Sequence, residues 1–322
     1  MESDAPIVLT SSRLHVEVAH PGTAYKRTRF DWTGFITQVT LDGRHSFCVP
    51  EDYDPAKGTG GIGICGEFGI EKAIGYADAK PGEAFPKLGI GLLKRPEEPN
   101  YRFFVPHEIE RLFEIAIETT ADSVTFTVAP LECRGYALRQ TKTLRVEDNC
   151  LTVAYRLENT GSKAVHTQEY SHNFIAVDNQ EVGPDYSLRF PNPVSIKPNY
   201  NQFRGFLPPL LRALLPDFAL KMVVKRMAGS SVLAAEGSEI TWKAVPSGAF
   251  FCHPLGFTQT SAAQWELVHL PSGVRVREYD DFAPQRIALW GMKHVVSPEV
   301  YIDIDLEPGQ SQSWTRRFEF AA

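Results

Sequence analysis

The chain has 322 residues, of which 43% are hydrophobic and 22% charged, a globular composition with enough apolar material for a sizeable core. Its formal net charge of −6 lacks the positive field that polyphosphate binding draws on, so nucleic acid is not an expected partner. No apolar run is long enough to span a membrane, and Met1-Glu2-Ser3-Asp4 is the opposite of a basic signal-peptide start.

The 5 cysteines (Cys48, Cys65, Cys133, Cys150, Cys252) are odd in number, scattered, and without CxxC spacing. They read as reduced, buried thiols of a cytoplasmic protein, with neither a disulfide framework nor a metal site expected.

Along the chain, 50–99 is rich in loop signals, with a glycine run from Lys57 to Gly69. Gly61-Ile62-Gly63-Ile64-Cys65-Gly66 is formally GxGxxG, but no apolar strand precedes it, which argues against a dinucleotide fingerprint. Its glycines suit close backbone approach or a tight turn. Period-2 alternation then dominates. It runs through Phe113, Ile115 and Ile117, through Ser123–Val128, and through Leu151–Leu157. It returns at Val274 and Val276, and at Val300, Ile302 and Ile304. Half-polar faces of this kind fit antiparallel sheets. Asp42-Gly43, Asn159-Thr160-Gly161, Pro271-Ser272-Gly273 and Pro308-Gly309 supply the turns.

One segment departs from this pattern. Phe206–Met227 carries Leu207, Leu210, Leu211, Leu214, Leu215, Phe218 and Met222 at helical spacing, predicting one inserted helix. Pro216 breaks or kinks it, and its short, interrupted polar face favours packing on the sheets or on a second subunit over a membrane-surface role. It is thus the candidate surface for homo-oligomer contact. No linker splits the sequence, and 1–322 reads as a single domain.

His172 lies in Tyr170-Ser171-His172-Asn173-Phe174-Ile175, on a predicted strand and with no other histidine at metal-ligand spacing. Several motifs, in order, resemble the galactose mutarotase-like superfamily, which includes the aldose 1-epimerases. They are Arg29-Phe30-Asp31-Trp32-Thr33-Gly34-Phe35, the glycine-rich stretch, and Thr141–Val146 with Leu151–Gly161. Ser171-His172-Asn173-Phe174, Ser297-Pro298-Glu299, Leu306–Gly309 and Ser313–Phe320 complete the series.

The resemblance implies an all-β fold, a large antiparallel β-supersandwich, and a small carbohydrate as partner with no cofactor. It implies mutarotation by acid/base catalysis, with His172 as acid, Glu299 as base, and the two converging on either side of a pyranose ring. Asn173 is implied as a sugar contact beside His172. The family's second histidine is missing from the glycine-rich region, where Glu67 and, further on, Lys87 stand as candidate substrate contacts. That departure leaves room for lyase, hydrolase or isomerase chemistry on a modified or acidic sugar, or for sugar binding without catalysis. Trp32 and Phe68 are candidate stacking surfaces for a sugar, and equally suitable as core.

Overall fold

The computed structural model describes residues 5–197, 222, 232–256 and 264–322. Apart from Met222, the predicted helix at 206–227 lies outside the described residues.

Among the described residues the chain forms two ten-stranded antiparallel sheets and one three-stranded sheet, as the alternating segments predict. The first sheet runs from Ile7–Thr10 through Leu14–Ala19, Phe35–Leu41, Gly63–Phe68, Val165–Phe174, Val295–Leu306, Arg286–Met292 and Phe250–Leu255 to Ser195–Lys197, with His45–Ser46 beside Phe35–Leu41. The second contains Cys150–Asn159, Ser311–Ala321, Arg275–Asp280 and Gln264–His269 at its centre. The three-stranded sheet is Ala84–Lys87, Gly91–Lys94 and Ile109–Leu112.

The two large sheets pack face to face. Val16, Val39 and Ile64 of the first meet Leu144, Val153, Trp314 and Phe318 of the second in one apolar core. Burying a side chain of this size contributes about 1.5–3 kcal/mol. A second cluster lies on the other side of the first sheet. It joins Cys65, Phe174 and Val295 to Phe85 and Leu93 of the small sheet and to Ile90 in the turn between its first two strands. The first sheet is therefore covered on both faces, and the strand His172 occupies is buried almost throughout.

The glycine-rich run is not loop throughout. Gly63–Phe68 is a fully buried strand paired with Val165–Phe174. Glycine is what admits it: Gly63 has φ +62°, and a Cβ there would lie 2.1 Å from the Ile36 carbonyl oxygen. The absence of side chains that reads as loop in sequence is here a condition of close strand packing.

The layer between the large sheets also holds charge. Arg316 meets Glu169 at 2.6 Å, Glu278 at 3.1 Å and Asp280 at 3.4 Å, all buried. Lys142 donates to the Thr33 carbonyl at 2.8 Å and lies 3.5 Å from Asp31. Burial and the neighbouring Glu278 hold the Asp280 carboxyl well above the usual carboxylate range.

Candidate active site on the outer face of the first sheet

Alternation along Val165–Phe174 sorts its side chains. Glu169 and Asn173 reach Trp314, Arg316 and Glu278 in the layer between the sheets. Tyr170, His172 and Phe174 take the opposite, outer face. The neighbouring strand is fixed against it by register: Tyr170 pairs with Tyr301, and Ile175 bridges Val296. That one register sets His172 opposite Glu299, where cross-strand side chains touch.

His172 and Glu299 are each 3% exposed. The imidazole Nε2 lies 3.2 Å from Glu299 Oε1, so the two residues meet directly. They do converge, but the ligand-free arrangement leaves no gap for a ring between them.

Ser297 Oγ lies 3.0 Å from His172 Nδ1 and donates to Glu299 Oε1 at 3.2 Å. The Asn173 backbone N–H donates to the same Oγ at 2.9 Å. Tyr301 donates its hydroxyl to Glu299 Oε2 at 2.9 Å. Burial, then the nearby Arg29 charge, hold the His172 imidazole well below the usual histidine range. Burial raises the Glu299 carboxyl to about 7. Phe174 stacks on the imidazole at 3.9 Å and Trp290 meets it edge-on at 5.4 Å. The walls exclude water, so neither charged form is solvated.

Glu67 adjoins this pair. It is fully buried; Arg29 Nε donates to its Oε2 at 2.8 Å, and the Tyr170 hydroxyl donates to the same oxygen. Its Oε1 has no hydrogen-bond partner. Arg29 Nη2 donates to Tyr170 at 2.9 Å and Nη1 to Thr59 at 2.9 Å, and the guanidinium lies over Phe30 and Phe103. Lys87 is buried too, with Nζ donating to the Phe68 carbonyl at 2.6 Å and to the Tyr101 hydroxyl at 3.2 Å. Burial lowers its ammonium to about 8.

Solved structures with the same architecture cover nearly the whole chain. A galactose mutarotase-like protein from Clostridium acetobutylicum aligns with 98% of this chain and 94% of its own at 11% identity, with a TM-score of 0.58. The chain has the galactose mutarotase-like fold. An aldose epimerase homologue from C. elegans (11% identity, 99% of each chain, TM-score 0.56) shares this mutarotase-like fold. So does a galactose mutarotase related enzyme from Lactobacillus acidophilus (11% identity, 98% of this chain and 97% of that one, TM-score 0.56). No protein-family model matches the sequence, and no curated protein matches it.

Within this mutarotase-like fold, His172, Glu299 and Glu67 share the outer face, with Lys87 at the margin of the Glu67 strand. Asn173 and Phe68 turn the other way. Asn173 Nδ2 donates to the Pro298 carbonyl at 2.7 Å, and Phe68 packs on Tyr155 and Trp314. Strand alternation gives the side chains that follow His172 and Glu67 to the face opposite theirs. Trp32 is buried in the outer cluster and donates its indole N–H to the Arg27 carbonyl at 2.9 Å. Ser297, Tyr170 and Tyr301 were not singled out in sequence. The available signal was position: each lies two residues from His172 or Glu299 on a strand. Among the described residues, no group of His, Cys, Asp and Glu is set to hold a metal ion, and no helix is long and apolar enough to cross a membrane.

Proposed function

We propose that the protein is an aldose 1-epimerase-like mutarotase acting on a small free or modified sugar. One observation carries this reading: a buried imidazole of low basicity lies 3.2 Å from a carboxyl that titrates near neutrality. Such a pair offers one donor and one acceptor side by side, and mutarotation needs both at two oxygens that share the anomeric carbon.

In the opening step, Glu299 gives its proton to the ring oxygen while His172 Nε2 takes the proton of the anomeric hydroxyl. The carbon–ring-oxygen bond breaks as the aldehyde C=O forms. Rotation about the adjacent carbon–carbon bond presents the other face. On closure the ring hydroxyl returns its proton to Glu299, and His172 returns its proton to the anomeric oxygen. The opening roles are thus the reverse of those the family resemblance implied, because burial favours the neutral form of each group. The two groups together hold the one proton that the reaction moves.

The open Oε1 of Glu67 favours a second reading, acid/base chemistry of another kind on a modified sugar, with Glu67 and Lys87 as hydroxyl contacts. The 5 cysteines are free and buried, which supports a reducing, cytoplasmic setting.

The test is anomeric exchange measured by saturation-transfer NMR over a panel of aldoses and uronic acids. Wild type is expected to accelerate exchange on at least one sugar, with the acceleration lost in both His172→Ala and Glu299→Ala. No acceleration on any of them overturns the mutarotase reading. New reducing ends or unsaturated products then select the second reading, and binding without turnover selects a sugar-binding protein.

A further inference from the structure

Pro298 lies inside Val295–Leu306, a strand with neighbours on both sides, Val165–Phe174 and Arg286–Met292. Proline donates no ladder bond and is ordinarily confined to sheet edges, strand starts and bulges. The register shows which bond is lost here. Ile175 N–H donates to the Val296 carbonyl at 3.1 Å, and Val296 N–H to the Ile175 carbonyl at 2.9 Å. Hydrogen-bonded pairs recur every second residue along an antiparallel ladder, so Asn173 and Pro298 are the next such pair. Pro298 has no N–H to give. Regular pairing of the two strands stops at Tyr170–Tyr301 and returns at Ile175–Val296. His172 and Glu299 lie within that interval. Toward its other neighbour Pro298 keeps register, opposite Leu289.

Asn173 bridges the interval. Its Nδ2 donates to the Pro298 carbonyl at 2.7 Å and to Glu278 Oε2 at 3.3 Å, and its Oδ1 accepts from Ser171 Oγ at 2.8 Å. Its backbone N–H donates to Ser297 Oγ at 2.9 Å. The amide fits only one way round, because a carbonyl only accepts and the flipped amide would set two acceptors 2.7 Å apart. The side chain is fully buried, so no solvent competes for these bonds.

We infer that Asn173 is a positioning residue whose side-chain amide stands in for the ladder bond that Pro298 lacks, holding the two strands together at the level where His172 meets Glu299. Its side chain points away from the outer face and acts through the backbone of both strands. The consequence for turnover rests on the mutarotase reading; the clamp does not.

The test is amide hydrogen exchange on the ligand-free full chain, in a double-mutant cycle of Asn173→Leu with Pro298→Ala, which gives position 298 an N–H. Asn173→Leu should speed exchange about tenfold at Ile175 and Val296, as the loss of a buried hydrogen bond implies, and change Leu144 and Val153 of the second sheet little. With Pro298→Ala already present, the same substitution should speed it only about threefold or less. On a sugar that wild type turns over, Asn173→Leu should lower kcat about tenfold or more with KM little changed, because a small misplacement of reacting groups is enough. The double variant should recover part of that loss. Exchange that is unchanged, or raised equally throughout both sheets, overturns the inference, as does an equal effect with and without Pro298→Ala. An Asn173→Leu chain that folds only together with Pro298→Ala supports it, and one that folds in neither background overturns it. Local loosening with unchanged kcat overturns the positioning role. A catalytically silent wild type with the expected exchange pattern sinks the mutarotase reading and leaves the clamp intact.

Discussion

Tyr170 and Tyr301 stack at 4.4 Å with their planes 13° apart, and each donates its hydroxyl to a different buried glutamate. Tyr170 serves Glu67 and Tyr301 serves Glu299, so a rigid aromatic pair on adjacent strands holds both carboxyl groups in place. The stack also couples the outer-face row across three strands, since Tyr170 pairs in register with both Glu67 and Tyr301.

Removing one hydroxyl from this stack has a signed consequence. Tyr301 lowers the Glu299 carboxyl by donating to it, against the larger upward push of burial to about 7. Tyr301→Phe keeps the stack and deletes the donor. The carboxyl should rise by about one further pH unit, as expected for a hydrogen bond to a charged group. The single-proton pair is active below that value, so the wild-type rate should fall above about pH 7. The falling limb should move upward by the same unit in the variant, read from the pH dependence of anomeric exchange.

Stability should carry the same signature. Unfolded, Glu299 loses its proton near 4.5; folded, it keeps it to about 7. Its contribution is therefore fully present below 4.5 and is lost as pH rises to about 7, a loss of about 3 kcal/mol. His172 works in the opposite sense. Its folded value lies well below 6.5, so its contribution is present above 6.5 and lost as pH falls. Glu299→Gln removes only the first term. Relative to wild type, the glutamine variant should gain about 3 kcal/mol between pH 5 and pH 8, measured by urea unfolding at both pH values.

Behind the site, Arg316 is the cation at the centre of Glu169, Glu278 and Asp280. Arg316→Met leaves three carboxyl groups in the layer between the sheets without it. Breaking such a group from one side should cost about 3–5 kcal/mol. The cost should be smaller at pH 5, where the Glu278 and Asp280 carboxyls, raised by burial, take up protons more readily. Arg139, exposed on Leu138–Glu147 of the same sheet, is the control: Arg139→Ala should stay within about 0.5 kcal/mol of wild type.

Lys87 has two of its three hydrogens committed, to Phe68 and Tyr101. As the proposed sugar contact outside the proposed proton-transfer pair, it would contribute to binding and not to the chemical step. Lys87→Met should raise KM about tenfold or more and leave kcat nearly unchanged, in steady-state kinetics on the sugar that wild type turns over.

Much of this architecture is legible locally. Alternation at Ser123–Val128 and Leu151–Leu157 marks strands that the structure contains as Ser123–Val128 and Cys150–Asn159, because a half-buried sheet imposes period 2 on its own residues. The turn at Asn159–Gly161 is equally local: Asn159 Oδ1 accepts the Gly161 N–H at 3.0 Å. The glycine-rich strand Gly63–Phe68 was hidden, since its reason for lacking side chains is Ile36, on another strand.

For the site, sequence supplied His172, Glu299, Glu67 and Lys87 as residues of the right chemistry. It could not say which faces they take relative to one another. Asn173 adjoins His172 in sequence and points to the opposite side, while Ser297 and Glu299 lie more than a hundred residues away and touch it. Strand alternation is written in the chain, but register between distant strands is not: a slip of one residue would carry Glu299 to the opposite face of the sheet. Pairing of Val165–Phe174 with Val295–Leu306 decides the 3.2 Å contact, and burial between two apolar layers decides where its proton rests. Chemistry came from the sequence; adjacency and protonation came from the tertiary structure, because both depend on neighbours that the chain order does not supply.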